Sequence, residues 1–278
     1  MHTLHIMKEK QINLNQILLS FPRGTVLTSS WLKSKGISYR LQSYYLKKGL
    51  LKSIGKGAYI QTNSTPNIDD GLNAINNQLG INAHIGAYSA LTQGFNNYTQ
   101  FIKENENTEI FISKNTPLPK WLAKLGKYTL HKTNFLDTEI AITDGNVYLH
   151  LGAIISKNSN SYVKPLEVNI PSPKISEPER AILEAIYLTP NKATLRNAYQ
   201  ILELMTTLRP QLLQQLLENC NSIKVKRLFL YMAEKIGHDW FNYLNLNKIN
   251  LGSGKRVISK GGKLDKKYNI VIEDLDSI

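Results

Sequence analysis

The chain has 278 residues, 42% of them apolar and 20% charged, which is long enough for two folded units and too apolar to stay disordered. No run reaches the roughly 18 to 20 apolar residues of a membrane helix, residues 1–10 lack the apolar core of a signal peptide, and the single cysteine, Cys220, excludes an internal disulfide, so a cytoplasmic protein without membrane contact is expected. A net charge of +13 points to a polyanionic partner, because cations that neutralise phosphates release bound counterions.

The excess charge is concentrated at the start. Residues 1–62 carry ten basic groups against one acid, Glu9, whereas residues 63–180 carry ten against eleven and residues 181–278 fourteen against nine. In the first stretch Ile12, Leu14, Ile17, Leu18 and Phe21 recur at helical spacing and predict a helix over 11–21 that ends before Pro22. After the turn Pro22-Arg23-Gly24, one of Thr28, Ser29 and Ser30 caps a short second helix that stops at Gly36, and Ser38 caps a third over 39–48 that stops at Gly49. A short helix, a glycine turn and a further helix make a helix-turn-helix, whose last member enters the major groove of DNA. Residues 50–54 and 58–61, joined by Gly55-Lys56-Gly57, predict a hairpin with a lysine at its tip, which suits a wing.

On the third helix Ile37, Leu41 and Tyr44 read as the inward set, which turns Tyr39, Arg40, Gln42, Ser43 and Lys47 outward. Arginine can address guanine and glutamine adenine with paired hydrogen bonds, so Arg40 and Gln42 are the expected base-reading residues. Arg23, Thr28, Ser29, Ser30 and Ser38 would offer charge or hydroxyls to phosphates near the helix starts. Lys52, Lys56 and Tyr59 would meet the backbone or minor groove from the wing. The competing role for each is ordinary capping or a solvated surface.

Asn63 to Asn67 reads as a linker into a second domain over 63–278, mixed α/β over 63–175 and mainly helical over 176–278. A helix opens at Asp69-Asp70 with Leu72, Ile75 and Leu79 on one face, and another spans 86–93. Strands are expected at 109–113, 127–132, 139–143 and 147–151, the last two paired through Asp144-Gly145-Asn146. Helices follow at 178–188, 194–205, 209–219 and 222–236, and the chain returns to strand within 256–272. In the 222–236 helix Lys224, Lys226 and Arg227 alternate with apolar residues and mark a possible partner or nucleic-acid surface.

Enzymatic signatures are weak. Gly252-Ser-Gly-Lys255 lacks the spacing of a phosphate-binding loop, and the six histidines have no metal-ligand spacing. Asp69, Asp70, Glu177 and Glu179 read as acids stabilised at helix N-termini. No catalytic residue, metal or cofactor is expected. The alternative function, a nuclease targeted by the winged domain, wants for an acidic cluster.

Six stretches carry a resemblance that spans nearly the whole chain: Phe21-Pro-Arg-Gly-Thr-Val with Ser29-Ser-Trp-Leu, Gly49 to Tyr59, His84-Ile-Gly-Ala-Tyr-Ser-Ala-Leu91, Leu118-Pro-Lys-Trp-Leu122, Ser176 to Glu184, and Asn221 to Phe241. In order and spacing they resemble the AbiEi antitoxins of type IV, abortive-infection toxin-antitoxin pairs. The resemblance implies an N-terminal winged helix-turn-helix that represses its own operon by binding promoter repeats. It also implies a C-terminal domain needed for antitoxin activity and a nucleotidyltransferase-like toxin as functional partner, which the antitoxin need not bind stably. Residues 151–168, with Ser156-Lys-Asn-Ser-Asn-Ser161, depart from the pattern and read as an inserted loop.

Overall fold

The computed structural model describes residues 14–22, 24–94, 107–136, 139–144, 172–190 and 194–275. The expected strand at 147–151, its hairpin turn and the 151–168 insertion lie outside them. The chain divides into two units.

The first unit is a winged helix. Helix α1 (Leu14–Ser20) is followed by β1 (Leu27–Thr28), α2 (Ser29–Ser34), α3 (Tyr39–Lys47), β2 (Leu51–Gly55) and β3 (Ala58–Gln61), with the strands in the order β1-β3-β2, all antiparallel. Local chemistry sets the boundaries. The Thr28 and Ser38 hydroxyls cap α2 and α3 by accepting from the backbone N–H of Trp31 and Leu41. Gly36 and Gly49 take the positive φ that ends each helix. Leu14, Ile17, Leu27, Leu32, Ile37 and Leu51 form the core under them, with Trp31, Leu41, Tyr45 and Tyr59 packed at its edge. Each fully buried aliphatic side chain there contributes about 1.5 to 3 kcal/mol.

Two further segments belong to this unit, although the sequence reading assigned both to the second domain. Helix α4 (Ile68–Leu79) starts on a capping box between Asn67 and Asp70. The Gln78 amide then ties it to the winged helix, its Oε1 accepting from Thr28 N–H at 2.7 Å and its Nε2 donating to the Val26 carbonyl at 2.7 Å. The segment Leu118–Gly126, which includes a 3-10 turn at Lys120–Lys124, also packs here. Trp121 lies so close to Gly55 that an added Cβ would sit 2.7 Å from its Cβ and 3.4 Å from its Cα. Gly55→Ala is therefore expected to destabilise this unit by about 1 to 3 kcal/mol through overpacking. Urea denaturation followed by tryptophan fluorescence checks it, and an unchanged midpoint would contradict the close approach.

The second unit is built on a five-stranded sheet. Its strands are β4 (Ala83–Ile85), β5 (Thr108–Ile112), β6 (Tyr128–Lys132), β7 (Ile142–Asp144) and β8 (Lys174–Ser176), in the order β6-β5-β4-β8-β7. β5 runs parallel to β6 and β4 to β8, and the remaining pairs are antiparallel. Helices α5 (Ala87–Gly94) and α6 (Pro178–Leu188) follow β4 and β8 and pack against each other. Helices α7 (Leu195–Leu204), α8 (Pro210–Asn219) and α9 (Ile223–Ile236) then lead to a small sheet, β9 (Arg256–Val257), β10 (Lys263–Asp265) and β11 (Ile270–Ile272), in the order β10-β11-β9. The architecture is thus α+β, a winged helix followed by a larger mixed unit that becomes mainly helical.

Candidate nucleic-acid interface

Helix α3 stands on α2 through one side chain. Gln42 is 1% exposed, and its Nε2 donates to the Ile37 carbonyl at 2.8 Å and the Ser29 carbonyl at 3.0 Å, while its Oε1 accepts from the Ser29 hydroxyl at 2.6 Å. The expectation that Gln42 faces a base edge is corrected. All its polar atoms are used inside the motif, where an unmade hydrogen bond would be expensive. Tyr44, expected inward, is 51% exposed.

The inward set of α3 is instead Leu41, Gln42, Tyr45 and Leu46. This rotation presents Arg40, Ser43, Tyr44 and Lys47, at i, i+3, i+4 and i+7, as one exposed face. Tyr39 is exposed beside them with the Lys33 ammonium 5.0 Å from its ring centroid, and Lys48 lies 5.8 Å from the Tyr44 ring. Tyr44 was missed because a tyrosine at helical spacing counts as apolar. Its signal was the Leu41, Tyr45, Leu46 triplet, a better inward stripe once Gln42 joins it.

The other expected contacts divide. Ser30 and Ser38 are exposed, and the Ser38 hydroxyl is engaged as a cap. Thr28 is buried and capping, and the Ser29 hydroxyl is spent on Gln42, so neither is presented outward as expected. Lys52 and Lys56 are exposed on the wing, whereas Tyr59 is half-buried against the core. Arg23 lies outside the described residues.

A second concentration of polar groups, which the sequence reading did not single out, is buried in the mixed unit. The Glu184 carboxylate accepts from His84 Nε2 at 2.8 Å, Arg180 Nε at 2.8 Å, the Ser176 hydroxyl at 2.9 Å and the Ala87 N–H at 3.0 Å. Burial by itself would push this carboxyl up, but His84, Arg180 and the Ala87 N–H hold it down at about 2. Burial keeps the His84 imidazole below its usual range despite Glu184. Arg180 reaches on to the carbonyls of Ile140 and Leu136, both at 3.1 Å. An added Cβ on Gly86 would fall 2.2 Å from Glu184 Oε2, which explains the glycine. Two motifs, around His84 and Glu184, residues 100 positions apart, therefore converge on one carboxylate. A cavity of about 240 Å³ opens beside it, lined in part by His84, Arg180, Asn82 and Glu139.

Nearby, Glu109 accepts from Tyr88 N–H at 3.0 Å and is pushed up to about 7 by burial, although the Ser89 and Tyr88 backbone N–H groups favour its ionised form. Glu179 is buried and held by the Arg209 side chain and N–H, with Glu177 on the same guanidinium. Asp70 is engaged by the Asn67 N–H. Among the described residues no group of three or more histidine, cysteine, aspartate or glutamate side chains is placed to hold a metal ion. No helix among them is long and apolar enough to cross a membrane.

The expected surface on α9 is corrected. Lys226 and Arg227 are buried, and Lys224 donates to the carbonyls of Tyr187 at 2.7 Å and Thr189 at 2.5 Å, with burial lowering its ammonium to about 8. The Arg227 guanidinium donates to the carbonyls of Leu251, Gly252, Gly254 and Asn269. These cations pin the backbone of their own unit.

Comparison with known proteins agrees with this architecture. The chain is similar over 91% of its length, and 87% of the other, to the crystal structure of the RV2827C protein from Mycobacterium tuberculosis, at 14% identity and a TM-score of 0.55, which shows a shared fold. No protein with a curated description matches the sequence. Residues 10–101 match the family described as transcriptional regulator, AbiEi antitoxin N-terminal domain, and residues 105–273 match transcriptional regulator, AbiEi antitoxin, type IV toxin-antitoxin system. With both matches running end to end over the winged helix and the mixed unit, the chain belongs to the AbiEi antitoxin family of transcriptional regulators.

Proposed function

We propose that the winged helix binds duplex DNA in the promoter of its own operon, and that the protein both represses that operon and counteracts a nucleotidyltransferase-like toxin. The observation that carries the DNA-binding reading is the outward face of α3. Arg40, Ser43, Tyr44 and Lys47 are exposed together, in a segment whose charge is almost wholly positive. Arg40 suits a guanine edge, Ser43 and Tyr44 offer hydroxyls to bases or phosphates, and Lys47, Lys52 and Lys56 neutralise the backbone. Gln42 contributes by fixing the angle between α2 and α3.

The test is fluorescence anisotropy with the natural promoter and an unrelated duplex at several salt concentrations. Arg40→Ala is expected to narrow the preference for promoter over unrelated DNA by about tenfold, the worth of one paired contact to guanine. Lys56→Ala should weaken both duplexes evenly and lower the salt slope by about 1. Equal binding of promoter and unrelated DNA by the unaltered protein would overturn the repressor reading.

A further inference from the structure

The cavity beside Glu184 lies wholly within the second unit. At about 240 Å³ it falls just below the roughly 300 to 1,000 Å³ of pockets that hold drug-sized ligands, so it suits a smaller one. His84 and Phe111, directly opposed on β4 and β5, both line it. Its two phenylalanines are held by other rings. Phe135 stacks on Tyr187 with ring centroids 4.3 Å apart and planes 8° from parallel, and Phe111 contacts His84 at 5.7 Å and His131 at 4.6 Å. Rings fixed in this way lose little freedom when a flat ligand packs on them.

The full charges around the cavity are matched. Arg180 is bound to Glu184 and to the Leu136 and Ile140 carbonyls, and the exposed Glu139 is paired with Lys174 at 3.7 Å. Burial disfavours the charged form of His84. An ionised ligand would bring an unmatched charge into this partly closed site, which is costly, whereas a neutral one would not. What the lining offers is hydrogen bonding. With Nε2 donating to Glu184, the neutral His84 ring keeps Nδ1 as an acceptor, and no hydrogen bond reaches that atom among the described residues. The Glu139 carboxylate accepts from the Asn82 amide and has lone pairs left over. The Thr133 hydroxyl accepts from the Phe135 N–H at 3.2 Å, which leaves its own hydrogen as a donor.

We propose that this cavity binds a small, uncharged nucleobase carrying an exocyclic amino group, as adenine and cytosine do. The flat ring packs on Phe111 and Phe135, as bases do on aromatic side chains. The amino group donates to Glu139, a pairing that carboxylates make with cytosine. The ring nitrogen beside the amino group accepts from the Thr133 hydroxyl, and the ring N–H donates to His84 Nδ1. The site shares no residue with the winged-helix face assigned to DNA.

The experiment is isothermal titration of the full chain with adenine, cytosine and their deaminated counterparts of matching size, hypoxanthine and uracil. Adenine and cytosine are expected to bind with dissociation constants below about 1 mM. Each should bind at least about tenfold more tightly than its counterpart, whose carbonyl would face the Glu139 carboxylate. Adenosine monophosphate, which adds a sugar and a charged phosphate, should bind more weakly than adenine, which separates the free base from a nucleotide as the source of the ring. Glu139→Gln places an amide that donates as well as accepts, and should remove most of the preference for the amino-bearing base. Its urea midpoint should stay close to that of the unaltered protein, because an exposed ion pair contributes little to stability. Phe135→Leu should weaken every base alike. The absence of saturable heat with adenine and cytosine overturns the proposal. So does equal affinity for a base and its deaminated counterpart, tighter binding of adenosine monophosphate than of adenine, or a preference that survives Glu139→Gln.

Discussion

Replacing Glu184 with alanine is expected to destabilise the mixed unit by about 3 to 5 kcal/mol, the usual consequence of removing one partner from a buried charge pair. The carboxylate is fully buried and satisfies four donors at once, from β4, β8, α6 and the start of α5. Its removal would leave Arg180 charged inside the protein and the His84, Ser176 and Ala87 donors without their acceptor. Ala87, whose φ of 47° is unfavourable for a residue with a side chain, would also lose the bond that holds it there. Urea denaturation followed by circular dichroism reads the effect, and a loss below about 1 kcal/mol would show that the network is incidental.

The same carboxylate sets a pH dependence. Its pKa is depressed from 4.5 to about 2, so the stability it contributes is complete above 4.5 and is lost as pH falls toward 2. His84, also depressed, acts in the same direction from pH 6.5 downward, because the unfolded chain takes up the proton that the folded one resists. Glu109 acts oppositely. With its pKa raised from 4.5 to about 7, it stabilises the fold below 4.5 and that contribution fades as pH rises through 7. Glu184→Gln should therefore flatten the acid limb between pH 4.5 and 2 and, by removing the charge that favours the His84 imidazolium and opposes ionisation of Glu109, move the contributions of both groups to lower pH.

The second large effect is expected at Gln42. Gln42→Ala strands two carbonyls and a hydroxyl between α2 and α3 and should lower the stability of the first unit by about 3 kcal/mol or more, at about 1 kcal/mol or more for each polar group left unmade. Trp31 and Trp121 both lie in that unit, so their fluorescence follows it during urea denaturation. DNA affinity should fall in parallel for every sequence. A variant as stable as the unaltered protein that nevertheless changed its preferred base would restore Gln42 to the groove and undo the assignment of α3's faces.

The contrast between Gln42 and Tyr44 shows what the sequence could disclose. Capping residues, glycine stops and alternating strands placed α2, α3, the wing, α6 and α9 close to where they occur, since each depends on chemistry within a few residues. The facing of α3 was misread because hydropathy treats glutamine as a surface residue, and only a neighbouring helix supplies the carbonyls that make it a core one. Lys224, Lys226 and Arg227 were misread for the same reason: their partners are carbonyls of Tyr187, Thr189 and the 251–254 loop, distant in the chain. β4 and β8 are three residues each, too short for a periodic signal, and they pair in parallel across ninety residues, Ile85 to Ile175. The buried network was invisible for that reason. His84 and Glu184 were read in separate motifs whose convergence depends on that pairing.

The nine residues Leu118–Gly126 leave the mixed unit between β5 and β6, complete the first unit and return. A fragment cut between residues 101 and 105, where the two family matches meet, would carry away the wing and α4 but strip them of Trp121, Leu122 and Leu125, which cover Gly55 and Gly71. The two units are thus interlaced along the gene. Recombination that grafts this winged helix onto an unrelated partner cannot succeed with a single crossover, because part of what completes it is encoded inside the neighbouring unit, and the pair should pass between genomes as one indivisible piece.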